Sequence, residues 1–347
     1  MSKYKVSVLT AGKTIEIRES ELKSPGPSQV LLKVEACAIC TLEQRVYSGS
    51  MKNYPFAGGH EAAGRVVEAG KNVTALKKGD LAAVRLLTNC GECYYCRTGR
   101  ENQCEVSFKT QIHDGIPGPG GLAEYMLVDS RTVFKVRDDL DPRYAALAEP
   151  LACCIHSIEN GKISLGDDVV IIGAGLMGAF HTRLAKLKGA RVTVCEIDPA
   201  RLEKAGHMGA DILIDSGKTD PLKAVSEITD GRGADVVFCT AAVPALADLA
   251  IRMTGKVGRT VMYSSFHPKD PISLDINAVH YSEISITGSV NPGIRDFYTA
   301  ARLLSLGLAD PGELISASFP FGKIGDAFER AIMPGAYRVI VDFREYA

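Results

Sequence analysis

The chain has 347 residues, 46% of them apolar and 23% charged, which is long for one core and comfortable for two domains. Lys and Arg number 40 against 41 Asp and Glu, so composition offers no basic field for nucleic acid or an anionic membrane surface, and neither is expected as a partner. No apolar run reaches transmembrane length and the first residues carry no signal core, which makes the cytoplasm the expected location. Ten cysteines in a reducing compartment point to metal sites, not disulfides.

From Val6 to about Val136, short β-like runs such as Val30–Val34, Ala63–Glu68 and Leu81–Val84 are punctuated by turns at Ser24–Pro27 and Lys77–Asp80. A β-rich domain of irregular topology is predicted. Inside it, Cys90, Cys93, Cys96 and Cys104 place four thiols within 15 residues. Two short Cys-x-x-Cys steps and one longer step suit a tetrahedral zinc ion, and four thiolates leave no open position, so this site reads as structural. A redox dithiol or an iron–sulfur cluster would use the same residues. The polar neighbours Arg97, Arg100 and Glu101 mark a surface lobe and favour zinc.

A second cluster is dispersed: Cys40, then Gly59-His60-Glu61, then Glu149 in Ala148–Leu151. Singly, each has an ordinary reading as a small buried thiol, a core histidine or a helix-terminal charge. Together they supply one thiolate, one imidazole and one or two carboxylates. Three protein ligands with one position open is the pattern of catalytic zinc.

Residues Tyr144–Gly161 read as helical, and strands then alternate with helices. The strands are Val169–Ile172, Arg191–Cys195, Ile212–Ile214, Asp235–Cys239, Thr260–Tyr263 and Ile284–Thr287. Helices are predicted over Met177–Lys188, Pro199–His207, Pro221–Thr229, Pro244–Met253 and Arg295–Leu306, and a last strand begins at Arg338. Such alternation gives a doubly wound α/β fold with a parallel sheet. Its first strand runs into Gly173-Ala-Gly175-Leu176-Met177-Gly178. Gly173 permits the tight turn, Gly175 lets the backbone approach a pyrophosphate, and Gly178 lets the helix pack against the strand. Glu196, at the end of the second strand, is placed to accept from both ribose hydroxyls and to repel a 2′-phosphate, which favours NAD over NADP; Arg201 nearby pulls the other way. A glycine-rich turn without ligand is the plain alternative.

These motifs, in this order and over nearly the whole chain, resemble the zinc-dependent medium-chain dehydrogenases, the polyol (sorbitol) dehydrogenase branch above all. The resemblance rests on Cys37-Ala-Ile-Cys40, Gly59-His60-Glu61, the four-Cys lobe, Glu149-Pro150-Leu151, the glycine fingerprint and Glu196. It implies a GroES-like catalytic domain over 1–150 (with the zinc lobe at 89–105) and 290–347, and an NAD-binding Rossmann domain over 151–289, with substrate and nicotinamide meeting in a cleft between the two. It further implies Cys40, His60 and Glu149 as catalytic zinc ligands, Glu61 as a carboxylate beside them able to enter the coordination sphere, and backbone near Val290 as a nicotinamide contact. Two zinc ions per chain, NAD, a small alcohol substrate and a homodimer or homotetramer are the expected cofactors and partners.

The implied reaction is reversible hydride transfer between a secondary alcohol and the nicotinamide, with zinc as Lewis acid. One feature departs from the family. Relatives often carry Ser or Thr two positions after the zinc Cys and His five positions after it as a proton relay; here those residues are Leu42 and Arg45. Thr41, Glu43 or Glu61 with water, or the substrate's own hydroxyls, would have to serve, and a route through Glu61 ranks first. Arg45 either grips an anionic substrate or simply pairs with Glu43 or Glu68, and pairing is the commoner fate of such an arginine. Besides a polyol, an amino-alcohol such as L-threonine is a possible substrate, and a non-catalytic zinc- and nucleotide-binding protein is the reading from another class.

Overall fold

The computed structural model describes residues 2–107, 111–266 and 271–344, and divides into two compact units. Unit 1 comprises Met1–Ala152 and Gly293–Ala347; unit 2 is Cys153–Pro292.

In unit 1, strands β1 (Lys3–Ala11) and β2 (Thr14–Glu21) form an antiparallel hairpin. Then follow β3 (Gln29–Ala38), helix α1 (Thr41–Tyr47), β4 (Glu61–Ala69), β5 (Leu81–Arg85) and the single turn α2 (Tyr94–Arg97). A small hairpin, β6 (Ile112–His113) and β7 (Ile116–Pro117), precedes β8 (Tyr125–Asp129), β9 (Val133–Lys135) and helix α3 (Pro142–Ala146). Val30, Leu32 and Val34 on β3, and Ala62 and Val66 on β4, alternate into the core, as a sheet with one buried face requires.

Helix α4 (Ala148–Gly161) carries the chain into unit 2. Sequence reading gave one helix over Tyr144–Gly161, whereas the structure breaks it at Leu147. Pro150 is the reason. It has no N–H for a carbonyl one turn back, so it is tolerated only in a first turn, and the helix restarts just before it.

Unit 2 runs β10 (Asp168–Ile172), α5 (Leu176–Leu187), β11 (Arg191–Glu196), α6 (Pro199–His207), β12 (Ile212–Asp215), α7 (Pro221–Ile228) and β13 (Ala234–Cys239). It continues through α8 (Pro244–Met253), β14 (Thr254–Met262), α9 (Ile276–Ser282) and β15 (Ser285–Gly288). The six strands are parallel in the order β12-β11-β10-β13-β14-β15, the doubly wound arrangement whose switch point lies at the carboxyl end of β10. Asp198 and Asp220 cap α6 and α7 by accepting from backbone amides, each followed by Pro at the first helical position.

The chain returns to unit 1 with α10 (Ile294–Ser305), β16 (Ile315–Pro320), α11 (Ile324–Ala331) and β17 (Arg338–Asp342). These complete a seven-stranded sheet ordered β16-β17-β3-β4-β5-β9, with β8 also paired to β3. Among the described residues no helix is long and apolar enough to cross a membrane.

Candidate active site and metal centres

Strand pairing assembles the site in unit 1. Cys40 follows β3 and is the N-cap residue of α1, while His60 directly precedes β4. In register, Ala38 of β3 faces Glu61 of β4 and Ile340 of β17. Two residues further along both antiparallel strands, Arg338 therefore meets Cys40, and its Nη2 lies 3.4 Å from Cys40 Sγ. Glu149 enters in the first turn of α4. Donor atoms of His60, Glu61 and Glu149 lie within 4.8 Å of one another, as do those of Cys40, Glu43 and His60. His60 is common to both groups, so Cys40 and Glu149 converge on one imidazole.

That imidazole is fixed from behind. Glu43, fully buried, places Oε1 at 3.0 Å from His60 Nδ1, and the same oxygen accepts from the Gly59 amide at 2.9 Å. Gly59 is held at φ +96, and a Cβ there would sit 2.5 Å from the Leu122 nitrogen, so only glycine fits. A carboxylate on Nδ1 leaves Nε2 as the nitrogen available to a metal, the usual support of a ligating histidine. Burial alone would push the His60 imidazole down; Glu43 and the Cys40 sulfur outweigh it and hold it well above its ordinary value. Burial, with Glu61 beside it, pushes the Cys40 thiol up. A buried thiol and imidazole that hold their protons this firmly, among buried carboxylates, are what a dication displacing those protons would occupy. The donor set fits zinc.

Glu61 has a different task from the relay expected of it. Both of its oxygens accept from Arg338, at 2.8 Å from Nε and 2.6 Å from Nη2, in a pair sealed from solvent. A carboxylate gripped as a fork is not a free base. Arg45 does not pair with Glu43, which is committed to His60. Its carbonyl instead ties down the following turn, accepting from Ser48 Oγ, Ser50 Oγ and the Met51 amide.

A cavity of about 590 Å³ opens at His60. Leu42, Met51, Tyr54, Phe56 and Leu87 supply apolar wall, and Ile112 and Pro117 of the β6–β7 hairpin close one side. Lys52, Asn53 and Gln111 are its other polar residues, and Arg45 does not line it. The position where relatives carry a hydroxyl is thus apolar wall.

The four-Cys lobe is assembled as its spacing predicts. The Sγ atoms of Cys90, Cys93, Cys96 and Cys104 lie within 4.8 Å of one another, with Cys90–Cys96 at 3.9 Å and Cys90–Cys104 at 3.6 Å. Zinc–sulfur bonds of about 2.3 Å would set tetrahedral edges near 3.8 Å, which these spacings match. Backbone amides of Cys90 and Cys93 point at Cys104 Sγ and Cys90 Sγ. Burial raises the Cys104 thiol, but the Cys90 and Val106 amides prevail and bring it down to about 6.

In unit 2 the glycine turn follows β10. Gly173 has φ +95; a Cβ on Gly178 would lie 1.9 Å from the Gly173 oxygen; a Cβ on Gly175, the N-cap of α5, would meet nothing within 4 Å, leaving room for a ligand. Leu176 and Met177 form the first turn of α5, whose free amides suit a pyrophosphate. Glu196 is buried at the end of β11, where Oε2 accepts from Ala174 N at 2.7 Å and Oε1 from the Ile197 and Asp198 amides. Three of a carboxylate's roughly four acceptor sites are therefore taken, and the one left over is fewer than the expected pair of ribose bonds would need. Arg201 lies 3.9 Å from Asp198 Oδ2, and Val290, just beyond β15, is half exposed.

Sequence reading missed the pairing of Glu43 with His60, the place of Arg338 and the presence of Lys52. Glu43 had a signal, a carboxylate on the helical turn after Cys40; Arg338 had none, since only the β3–β17 pairing brings it in.

Residues 26–138 match the alcohol dehydrogenase GroES-like domain, and residues 177–305 match the zinc-binding dehydrogenase family. The chain is 33% identical over 323 residues to D-arabitol-phosphate dehydrogenase of Enterococcus avium, covering 90% of each chain. It is 32% identical to L-threonine 3-dehydrogenase of Pyrococcus horikoshii (95% of this chain, 96% of that one). Sorbitol dehydrogenase of Halalkalibacterium halodurans is also 32% identical, with 94% of each covered. Among solved structures, a zinc-binding dehydrogenase of Sinorhizobium meliloti bound to NADP superposes with a TM-score of 0.89 at 29% identity, covering 99% of this chain and all of that one.

Proposed function

Because the chain belongs to the zinc-binding dehydrogenases with an alcohol dehydrogenase GroES-like domain, we propose that it oxidises a secondary alcohol of the polyol class to the ketone, with NAD as hydride acceptor. The observation that carries this reading is the position of His60, shared by the donors Cys40 and Glu149 and exposed to the cavity. Cys40, His60 and Glu149 would hold the catalytic zinc, and the four-Cys lobe a structural one. Bound zinc supplies a Lewis acid that lowers the pKa of an alcohol hydroxyl.

The chain's own residues do the rest. Glu43 orients the imidazole through Nδ1. Arg338 neutralises Glu61 and favours the thiolate of Cys40 across 3.4 Å. Leu42, Phe56 and Leu87 keep water from the reacting carbon. In unit 2, the first-turn amides of α5 would take the pyrophosphate, and Glu196 the ribose. A 2′-phosphate would meet the Glu196 carboxylate, which is the ground for NAD. The Sinorhizobium neighbour binds NADP, so likeness of fold does not by itself support NAD, and the reading rests on Glu196.

The polyol class is taken from the relatives named for D-arabitol phosphate and sorbitol. The near-equal identity to L-threonine 3-dehydrogenase favours amino-alcohol oxidation as a second reading. Against it, no carboxylate is among the described residues lining the cavity to receive an ammonium. A homodimer or homotetramer is the assembly expected, to be read by sedimentation. The test is NADH formation with polyols, inositols, their phosphates and threonine, beside metal analysis for two zinc ions per chain. Turnover of threonine alone would select the second reading. Tight NADH binding with no turnover would make this a nucleotide-binding zinc protein. Glu196→Ala should raise KM for NAD and relax the preference over NADP.

A further inference from the structure

We propose that the substrate carries an anionic group, a phosphate monoester or a carboxylate, and that Lys52 selects it. The inference rests on the dehydrogenase reading and names the substrate class of the same cavity.

Lys52 lies on the turn that follows α1, and that turn is pinned by Ser50 Oγ and the Met51 amide on the Arg45 carbonyl. Met51, Lys52 and Asn53 all contribute to the cavity lining, so Lys52 stands at the cavity on a held backbone. It is exposed and has no ion-pair partner among the described residues. The acids nearest the site are already used. Glu61 is taken by Arg338, Glu43 by His60 and the Gly59 amide, Glu149 belongs to the donor cluster at His60, and Asp114, at the tip of the β6–β7 hairpin, is taken by Lys23 and Tyr4. None of these acids lines the cavity.

The described wall is therefore apolar, with neutral amides at Asn53 and Gln111 and one uncompensated cation. Low-dielectric walls of this kind focus the field of a single charge. A neutral polyol presents hydroxyls to Leu42, Phe56 and Leu87 and gains little from an ammonium. A phosphate or carboxylate beside Lys52 gains charge-assisted hydrogen bonds from it while the carbinol carbon reaches His60. A volume of about 590 Å³ holds a five- or six-carbon chain with such a group.

The test is calorimetric binding of sorbitol, sorbitol 6-phosphate and gluconate to the zinc-loaded protein and to its Lys52→Ala and Lys52→Glu variants, with NADH formation followed in parallel. Sorbitol 6-phosphate, gluconate or both should bind at least about tenfold more tightly than sorbitol, and Lys52→Ala should remove that margin, with Lys52→Glu weaker still. Tighter binding of the phosphate alone assigns a phosphate ester; equal gain with gluconate assigns a carboxylate. Sorbitol binding as tightly as both, or a margin that survives Lys52→Ala, overturns the proposal. Lys52-dependent binding without NADH formation from any of the three would uphold the anion site and overturn the dehydrogenase reading.

Discussion

Arg338→Met would leave Glu61 as a carboxylate sealed inside unit 1 against a thioether. In the intact pair the guanidinium makes two hydrogen bonds, at 2.6 and 2.8 Å, and the two side chains are 8% and 0% exposed, so solvent offers Glu61 no substitute. Breaking a buried ion pair from one side costs about 3–5 kcal/mol, because the remaining charge keeps its desolvation penalty and loses its partner. For a unit of this size that lowers the melting temperature by roughly 10 °C. Arg338→Lys should fall between, since an ammonium keeps the charge but not the fork. Glu61→Leu combined with Arg338→Met removes both charges and should be more stable than the sum of the two single losses predicts. Thermal and urea unfolding of the four zinc-loaded proteins gives the comparison. An Arg338→Met protein within about 1 kcal/mol of the parent would refute the reasoning, as would strict additivity in the double variant.

Glu43→Ala removes the acceptor of His60 Nδ1 and should weaken zinc at that site by about 10–100-fold, read by competition with a chromogenic chelator, while the four-Cys lobe keeps its metal. Cys104→Ser should lower the zinc content by one per chain and the melting temperature with it, by metal analysis and calorimetry. Gly178→Ala would drive a Cβ to 1.9 Å from the Gly173 oxygen, opening the turn, and NADH fluorescence should show binding lost while both zinc ions stay. Burial holds His181 at about 4 against an ordinary 6.5, so between those values the unfolded chain binds a proton that the folded chain refuses. Stability of unit 2 is therefore full above pH 6.5 and falls as pH drops toward 4, by up to about 3 kcal/mol; melts across that range should show it, and His181→Gln should flatten the slope.

What could be read in the sequence was what is local. The run Val169–Ile172 is apolar because β10 is buried on both faces, and Asp198-Pro199 and Asp220-Pro221 announce helix starts through their own capping bonds. The four cysteines are legible because one loop brings them together. The surroundings of the catalytic cluster were not, since they depend on pairing between distant strands. Glu61 and Arg338 are 277 residues apart and meet only because β17 lies against β3 and β3 against β4. Strand Ile315–Pro320 went unread although Ile315, Ala317 and Phe319 alternate with Ser316 and Ser318, because it is short and centred on Ala317, a weak strand former; helix Ile324–Ala331 went unread because it is short, holds Gly325, and owes its place to Ala327, Phe328 and Ala331 packing in the core. Arg45 in α1 and Lys52 on the turn after it sit seven positions apart, and periodicity has no means of saying which of the two faces a cavity.

The charge balance around His60 ties the cluster to a dication more strongly than ligand identity does. Glu43, Glu61, Glu149 and an ionised Cys40 bring four negative charges, against the cations of Arg338 and of Arg85, which is opposite Glu61 in register and is shared between Glu101 and Glu149. Two negative charges are left over in a buried setting, where an uncompensated charge is expensive. Protons can cancel them, which is the sense of the raised Cys40 and His60 values. A zinc ion cancels them as well and leaves the thiolate and neutral imidazole that ligation needs. With Glu61 held by Arg338 and Glu43 by His60, neither carboxylate remains to move the proton released from the alcohol, and Leu42 cannot. Of the relay candidates, Thr41 and the substrate's own polar groups are the ones not committed to such a pair, and a turnover-against-pH comparison of Thr41→Val with the parent protein separates them.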